Sequence, residues 1–210
     1  MIIAIDGPAA AGKGTLTRKL AKYYNLALLD TGLIYRAVGL KAVLNGDPSD
    51  SEIAIQAAKS LDLADLKIHD IRGELAAKSA SLVAAIPAVR DVLLEFQREF
   101  AHNPPDGKLG SILDGRDIGT VVCPGAKFKL YITASLEVRT DRRYKELQER
   151  GEEAIRSAVL DDIKTRDERD IARALSPLKP AGDAKIIDSS DFNASEVFSL
   201  AQEFISSQMK

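Results

Sequence analysis

The sequence predicts an α/β fold, a doubly wound parallel sheet of five strands. A first apolar run, residues 2–5, is followed directly by a glycine-rich loop and then by a helical pattern. Short apolar runs alternate with helical stretches from there to the end of the chain. A length of 210 residues predicts one domain, or one domain with a movable insertion. Right-handed crossovers between parallel strands would place helices on both faces of the sheet.

The first strand leads into a loop that we call the phosphate cradle (residues 7–15), which reads Gly-Pro-Ala-Ala-Ala-Gly-Lys-Gly-Thr. Its glycines let successive backbone N–H groups point inward at an anion, and the next helix adds its positive end. Lys13 supplies a cation for the outer phosphates, and Thr15 supplies a hydroxyl that can ligate Mg²⁺. The loop therefore predicts a bound nucleoside triphosphate. The alternative is a plain glycine-rich turn with an exposed lysine.

The last residues of the cradle indicate which class of nucleotide-binding protein the chain resembles. The Walker A pattern G-x-x-x-x-G-K-[ST] is met through Gly12 and Lys13, but Gly14 takes the Ser/Thr position and Thr15 comes one residue later. A Gly-Lys-Gly-Thr ending is typical of small-molecule kinases. The loop itself does not identify the acceptor of the phosphate.

Four further strands and their helices follow in alternation. Apolar runs predict strands over residues 26–29, 111–113, 128–132 and 185–188. Helical periodicity, with capping residues and helix breakers at the ends, predicts eight helices. Their ranges are 15–24, 33–44, 49–61 (which begins with a capping box at 49–52 and ends at about 61), 70–86, 87–101, 135–150 (which Ser135 caps), 152–175, and a last helix from about 194. Between residues 49 and 103 only a stub of strand at 66–68 is expected, which predicts a helical insertion on the sheet core.

Charged residues follow two of the predicted strands. Arg36 lies on the first turn of the helix after the second strand, and Asp114, Gly115, Arg116 and Asp117 follow the third. Ligands of open parallel sheets bind at the carboxyl ends of the strands. Guanidinium groups match phosphate oxygens in geometry, so Arg36 and Arg116 suit a second, phosphate-bearing substrate. The residues alone thus indicate a nucleotide or metabolite kinase, with a polar turn held by internal ion pairs as the alternative.

Composition excludes several other classes. A net charge of −2 argues against a nucleic-acid-coating protein, and no apolar run is long enough to span a bilayer. The single cysteine, Cys123, and the lack of a basic leader before an apolar stretch predict a cytoplasmic location. Two histidines and no Cys/His cluster make a protein-held zinc site improbable.

Three motifs together resemble the bacterial cytidylate kinase family of the P-loop nucleoside monophosphate kinases. They are the segment Ile-Asp-Gly-Pro-Ala-Ala-Ala-Gly-Lys-Gly-Thr, the segment Leu-Asp-Thr-Gly-Leu-Ile-Tyr-Arg at 29–36, and Asp-Gly-Arg-Asp-Ile-Gly-Thr-Val-Val at 114–122. Arg-Asp-Glu-Arg-Asp at 166–170, with Arg173, is similar to the arginine-rich segment after the lid of that family. The match covers nearly the whole chain in order, and the middle two motifs are far more specific than the cradle.

The resemblance implies ATP-dependent phosphorylation of CMP and dCMP with Mg²⁺, by a single domain over residues 1–210 that acts as a monomer. Within it, an acceptor-binding insertion is expected at about 47–105 and a short lid at about 143–172. The implied catalytic residues are Lys13, Arg116 and Arg173, and Thr15 is the implied metal ligand. ATP would contact Gly7, Pro8, Ala9, Ala10, Ala11, Gly12, Lys13, Gly14, Thr15 and Arg142. The acceptor would contact Thr31, Arg36, Ser81, Arg90, Arg116, Asp117, Arg166 and Asp170. Asp114 is expected to orient the water shell of the metal.

The implied base site agrees with cytosine in its chemistry. An aspartate such as Asp117 can accept a hydrogen bond from the exocyclic amine, whereas uracil would present a carbonyl oxygen to the same carboxylate. The chain departs from the family at Ala10, where some members have glycine, and in its insertion. Family members often carry a small sheet where residues 68–70 stand here, so the insertion is expected to be shortened. The open alternatives are a kinase for another small metabolite or nucleotide, such as UMP or a shikimate-like compound, and a nucleotide-binding switch module.

Overall fold

A computed structural model of the chain describes residues 1–173 and 176–209. The described strands are β1 (Ile2–Asp6), β2 (Ala27–Asp30), β3 (Ser111–Gly115), β4 (Phe128–Thr133) and β5 (Lys185–Asp188), in the spatial order β2-β3-β1-β4-β5. The pairs that β1 forms with β3 and β4, and that β4 forms with β5, are parallel. The predicted five-stranded α/β sheet is therefore confirmed.

The helices alternate with these strands as expected. They are α1 (Lys13–Tyr24), α2 (Thr31–Asn45), α3 (Ser51–Lys59), α4 (Glu74–Val83), α5 (Pro87–His102), α6 (Leu136–Glu149), α7 (Arg156–Ile171) and α8 (Ala194–Met209). A short π-helical turn, Ile118–Val122, follows β3. Ser135 caps α6 as predicted, since its side chain accepts a hydrogen bond from the Val138 N–H. The last two residues of the predicted helix over 152–175 lie outside the described residues.

Three local predictions are wrong. Residues 66–68 are not a strand, because a capping box between Asp62 and Asp65 starts a 3₁₀ turn, Leu63–Lys67. The start of α3 is capped by Asp50 and not by a box beginning at Ser49, whose hydroxyl instead bonds the Asp47 carboxylate. The predicted helix over 70–86 is shorter, because the backbone of Asp70 is left-handed and α4 begins only at Glu74.

The chain divides into two compact units, Met1–Leu28 with Ala101–Lys210, and Leu29–Phe100. The core of the first packs α1 and α8 against the sheet around residues such as Ile5, Leu20, Leu130 and Ile205. In the second, α4 approaches α2 so closely that a Cβ on Gly39 would lie 2.6 Å from the Ser79 hydroxyl. Within the described ranges, no helix is both long enough and apolar enough to cross a membrane. The expected boundaries of the insertion and lid stay predictions.

Candidate active site

The phosphate cradle curls between the end of β1 and the start of α1. A Cβ on Gly7 would lie 1.9 Å from the Ile132 carbonyl oxygen, so only glycine fits at the first position. The backbone is left-handed at Ala10 (φ 58°) and Gly12 (φ 90°). No side chain caps α1, so its first backbone N–H groups have no side-chain acceptor and form a potential anion site at the cradle. Ala10 adopts the left-handed conformation even though it has a Cβ.

Lys13 is the first residue of α1 and is buried, with 6% of its surface exposed. Its Nζ donates to the Pro8 carbonyl at 2.8 Å and lies 3.9 Å from Asp114 Oδ1. Burial, with the nearby positive charges of Arg116 and Arg166, holds the pKa of Lys13 below its ordinary value of 10.5. A bound polyphosphate would supply the missing negative charge and favour the ammonium form.

Two side chains at the cradle, those of Asp114 and Thr15, carry oxygen atoms of the kind that bind metals. Asp114, on β3, is buried and its Oδ2 accepts a hydrogen bond from Thr17 Oγ1 at 3.4 Å. Thr15 is exposed, and its hydroxyl accepts from Arg18 at 3.4 Å. Among the described residues, no three His, Cys, Asp or Glu side chains are close enough to cage a metal. A hydroxyl and a carboxylate nonetheless fit Mg²⁺, which takes oxygen ligands and is usually shared between one or two protein groups, water and phosphates.

A buried carboxylate joins two of the predicted phosphate-binding arginines. The side chain of Asp170, on α7, is 3% exposed, and its Oδ2 lies 3.1 Å from Arg116 Nε. Arg173 Nη2 lies 2.6 Å from the other oxygen of Asp170. We call these three residues the arginine cluster. Since Arg116 and Arg166 both lower the pKa of Lys13, their charges lie near the cradle within the same unit.

Arg142, which is predicted to contact ATP, lies against the cradle. Its guanidinium donates to Ser189 Oγ at 2.9 Å and to the Ser189 carbonyl at 2.7 Å. Ser189 in turn donates to the Ala11 carbonyl at 3.1 Å. A Cβ on Gly12 would lie 3.8 Å from the guanidinium, so Arg142 is within reach of the curled backbone.

Two further side chains support the site and were not predicted. Arg139 donates to the Ala9 carbonyl at 3.4 Å and pairs with Asp167 at 2.6 Å, which ties the cradle to α7. Asp6, the last residue of β1, accepts backbone hydrogen bonds from Ile118 and Gly119 at 2.7 Å each, directly after Asp117. The position of Asp6 between a buried strand and the cradle was the only sequence signal for either residue.

Among the other predicted acceptor residues, Asp117 lies in the first unit, directly before the π-helical turn, and Thr31, Arg36, Ser81 and Arg90 lie in the second. Thr31 and Arg36 are on α2, whose start is capped by Asp30 through the Gly32 N–H. Arg36 Nη1 donates to the carbonyls of Ile71 at 3.2 Å and Gly73 at 3.5 Å, in the turn that precedes α4. This turn therefore anchors one nitrogen of the Arg36 guanidinium.

Ser81 and Arg90 lie on the two helices that follow. The hydroxyl of Ser81, on α4, donates to the Ala77 carbonyl at 3.1 Å and is half-buried. The guanidinium carbon of Arg90, on α5, lies 5.8 Å from the centre of the Tyr35 ring, a cation–π distance. The structure thus brings together Lys13, Asp114, Arg116, Asp170 and Arg173 in the first unit, whereas Thr31, Arg36, Ser81 and Arg90 lie on α2, α4 and α5 of the second.

Known proteins match this chain over almost its full length. The family model for cytidylate kinase matches residues 3–207. A cytidylate kinase from Paramagnetospirillum magneticum is 57% identical over 208 residues, which cover 99% of this chain and 98% of that protein. One from Rhodospirillum rubrum is 49% identical over 98% of this chain and 97% of that protein.

Solved structures agree at the level of the fold. An uncharacterized protein from Eubacterium ventriosum superposes with a TM-score of 0.58 at 15% identity over 99% of each chain. A protein from Thermus thermophilus gives a TM-score of 0.51 at 17% identity, covering 100% of this chain and 98% of that one.

Proposed function

Because the chain belongs to the cytidylate kinase family, we propose that it transfers the terminal phosphoryl group of ATP to CMP and dCMP, with Mg²⁺. The chain is a phosphotransferase, and the kinases that resemble it over nearly its whole length carry the proposal. The cradle and the arginine cluster add the physical support, since phosphoryl transfer depends chiefly on cations and N–H groups that neutralise the moving charge.

On the donor side, the cradle would hold the phosphates of ATP. The uncapped N–H groups at the start of α1 and the Lys13 ammonium would bind the outer phosphates. Thr15 would ligate Mg²⁺ and Asp114 would orient its water shell. The ion supplies neutralisation of phosphate charge when bound. Arg142, held by Ser189 beside the cradle, would lie against the nucleotide.

On the acceptor side, arginines would bind the phosphate and polar residues would read the base. Thr31, Arg36 and Arg116 are assigned to the phosphate of CMP. Arg36 suits this role because the carbonyls of Ile71 and Gly73 anchor one of its nitrogens and so orient its planar guanidinium, whose geometry matches a phosphate. Arg166 and Asp170 are assigned to the side of the acceptor that carries its sugar and phosphate.

The base is assigned to Ser81, Arg90 and Asp117. A carboxylate that accepts from the cytosine amine would meet the uracil carbonyl without a proton between them. Polar pairing of this kind discriminates between substrates by as much as about 10⁴. Arg173 is assigned to the transferring phosphoryl group, and its contact with Asp170 fixes its guanidinium before substrate arrives.

The test is an acceptor panel. ADP formation from ATP and Mg²⁺ is followed with CMP, dCMP, UMP, AMP and shikimate as acceptors, and CMP and dCMP are expected to give the highest kcat/KM. Highest activity on UMP, AMP or shikimate, with none on CMP, would contradict the proposal. A stable ATP complex with no acceptor-dependent release of ADP would indicate a binding module instead. The monomeric state and the cytoplasmic location stay predictions.

A further inference from the structure

Asp6 is a buried carboxylate that none of the roles above uses. It ends β1, only 3% of its surface is exposed, and the next residue is the first glycine of the cradle. Its Oδ1 accepts from the Ile118 N–H and its Oδ2 accepts from the Gly119 N–H, both at 2.7 Å. Both oxygens therefore contact the start of the π-helical turn that follows Arg116 and Asp117.

The π-helical turn is held tightly against this carboxylate. A Cβ on Gly119 would lie 3.3 Å from Asp6 Oδ2 and 3.3 Å from Lys129 Cδ, so the backbone fits between the two side chains. The Lys129 ammonium bonds the Pro124 carbonyl just after the turn and pairs with Asp183. Asp6 bonds the start of the turn and Lys129 bonds the segment just after it, so both sides of the turn are held. Residues 116–117, which lead into the turn, therefore leave β3 in a fixed direction.

We propose that Asp6 is a positioning residue for acceptor recognition, acting through the backbone N–H groups of Ile118 and Gly119 to orient Arg116 and Asp117. The role rests on the proposed function, because it is through phosphate and base contacts that Arg116 and Asp117 would bind CMP. Asp6 itself would contact neither substrate. Its carboxylate couples the base of the cradle to the residues assigned to the acceptor.

Stability alone does not account for a carboxylate at this place. Burial, together with the nearby charge of Asp117, raises the pKa of Asp6 to about 6 against the lowering effect of the two backbone hydrogen bonds. The carboxylate is still mostly ionised at neutral pH, but its ionisation costs more free energy in the folded chain than in the unfolded one. An uncharged side chain of the same shape would avoid that cost but could accept only one of the two N–H groups.

The variant Asp6→Asn separates the cost of burying a charge from the effect of the two backbone hydrogen bonds. Its amide oxygen can accept one N–H, while its NH₂ group faces the other donor. We expect KM for CMP to rise about tenfold to a hundredfold, the range for loss of a hydrogen bond to a charged group, with KM for ATP within about twofold of wild type. The melting temperature is expected to stay within about 4 °C of wild type, because relief of buried charge offsets the lost bond. Equal rises in both KM values, or an unchanged KM for CMP, would overturn the proposal.

Asn193→Ala is the matched control. Asn193 caps α8 by accepting from the Ser195 and Glu196 N–H groups at 2.8 and 3.2 Å, so its loss also removes two backbone hydrogen bonds at the start of a helix. This variant is expected to melt lower while both KM values stay at wild type. If Asp6→Asn does not fold, Gly119→Ala serves as the second variant, since its Cβ would lie 3.3 Å from Asp6 Oδ2, closer than ordinary contact, and so would disturb the packing of the turn against this carboxylate. KM for CMP should then rise at least about threefold, and an unchanged value would contradict the role.

Amide hydrogen exchange gives a readout that does not depend on the acceptor. In wild type the Ile118 and Gly119 amides should be protected, and in Asp6→Asn at least one should exchange about tenfold faster or more. If wild type fails to phosphorylate CMP yet shows this change, the proposed function fails while the contact stands. If exchange at both amides is unaffected by the substitution, the positioning role fails whatever the acceptor is.

Discussion

Replacing Asp170 with asparagine should destabilise the fold strongly, because Asp170 is the only carboxylate that the described contacts place on both Arg116 and Arg173. The carboxylate is 3% exposed and lies 3.1 and 2.6 Å from the two guanidinium groups. Removing one partner of a buried pair costs about 3–5 kcal/mol, since the two guanidinium groups, only 18% and 26% exposed, lose the carboxylate that neutralises them. For a chain of this size about 1 kcal/mol corresponds to about 2–4 °C, so the melting temperature should fall by about 6–20 °C.

Thermal unfolding of wild type and Asp170→Asn, followed by circular dichroism without nucleotides, measures this effect. Glu146→Gln is the matched control, because Glu146 also contacts two arginines, Arg143 and Arg150, in the same unit, but its side chain is 44% exposed. Exposed pairs contribute about 0–1 kcal/mol, so this variant should melt within about 4 °C of wild type. Equal shifts in the two variants, or a shift under about 2 °C for Asp170→Asn, would refute the account of a buried arginine cluster.

The other predictions concern pH and the two nucleotide sites. Because the folded pKa of Asp6 is raised from 3.8 to about 6, its contribution to stability is fully present below about pH 3.8 and lost as pH rises through about 6. Between about pH 4 and 8, the free energy of unfolding of Asp6→Asn, measured with urea, should therefore rise by about 3 kcal/mol relative to that of wild type. A difference between the two free energies that does not change with pH would contradict this. Because the pKa of Lys13 is lowered, binding of ATP at about pH 9 should be accompanied by uptake of a proton. Calorimetry detects this uptake as a dependence of the binding enthalpy on the ionisation enthalpy of the buffer, and the dependence should be absent in Lys13→Met. Ser189→Ala should raise KM for ATP about threefold to tenfold and leave KM for CMP unchanged, because Arg142 loses one of its two bonds to Ser189; an effect on CMP alone would be inconsistent with the assignment. Asp117→Ala should impair use of CMP more than binding of ATP, and an unchanged acceptor profile would remove Asp117 from the base site.

The parts of the fold that depend on local sequence were predictable. Five apolar runs and the helical stretches between them predict the strands and most helices, and the Ser135 cap is visible in the residues alone. The phosphate cradle was also predictable, since strand, glycines, lysine and helix follow one another within 15 residues of the N-terminus. The strand predicted at 66–68, where apolar residues flank Lys67, is wrong because the capping box of Asp62 and Asp65 starts a 3₁₀ helix there. There, side-chain bonds to the backbone outweighed apolar periodicity.

The supporting contacts of the site could not be predicted, because they join residues that are far apart in the chain. Asp6 and the Ile118 amide are separated by 112 positions, and Arg139 and Ala9 by 130. Neither pair carries a spacing signal, and a carboxylate that accepts two backbone N–H groups looks in sequence like any residue at the end of a strand. The arginine cluster was predictable in part. Arg116, Asp170 and Arg173 were each expected at the site, but only the structure places Asp170 between the two arginines.

The ratio of kcat/KM for CMP to that for UMP, measured on wild type with saturating ATP and Mg²⁺, tests the central claim most directly. A site that reads the cytosine amine through a carboxylate should favour CMP by at least about 10², with about 10⁴ as the upper range for polar pairing. A ratio near one, or a preference for UMP, would contradict the assignment of this chain to CMP.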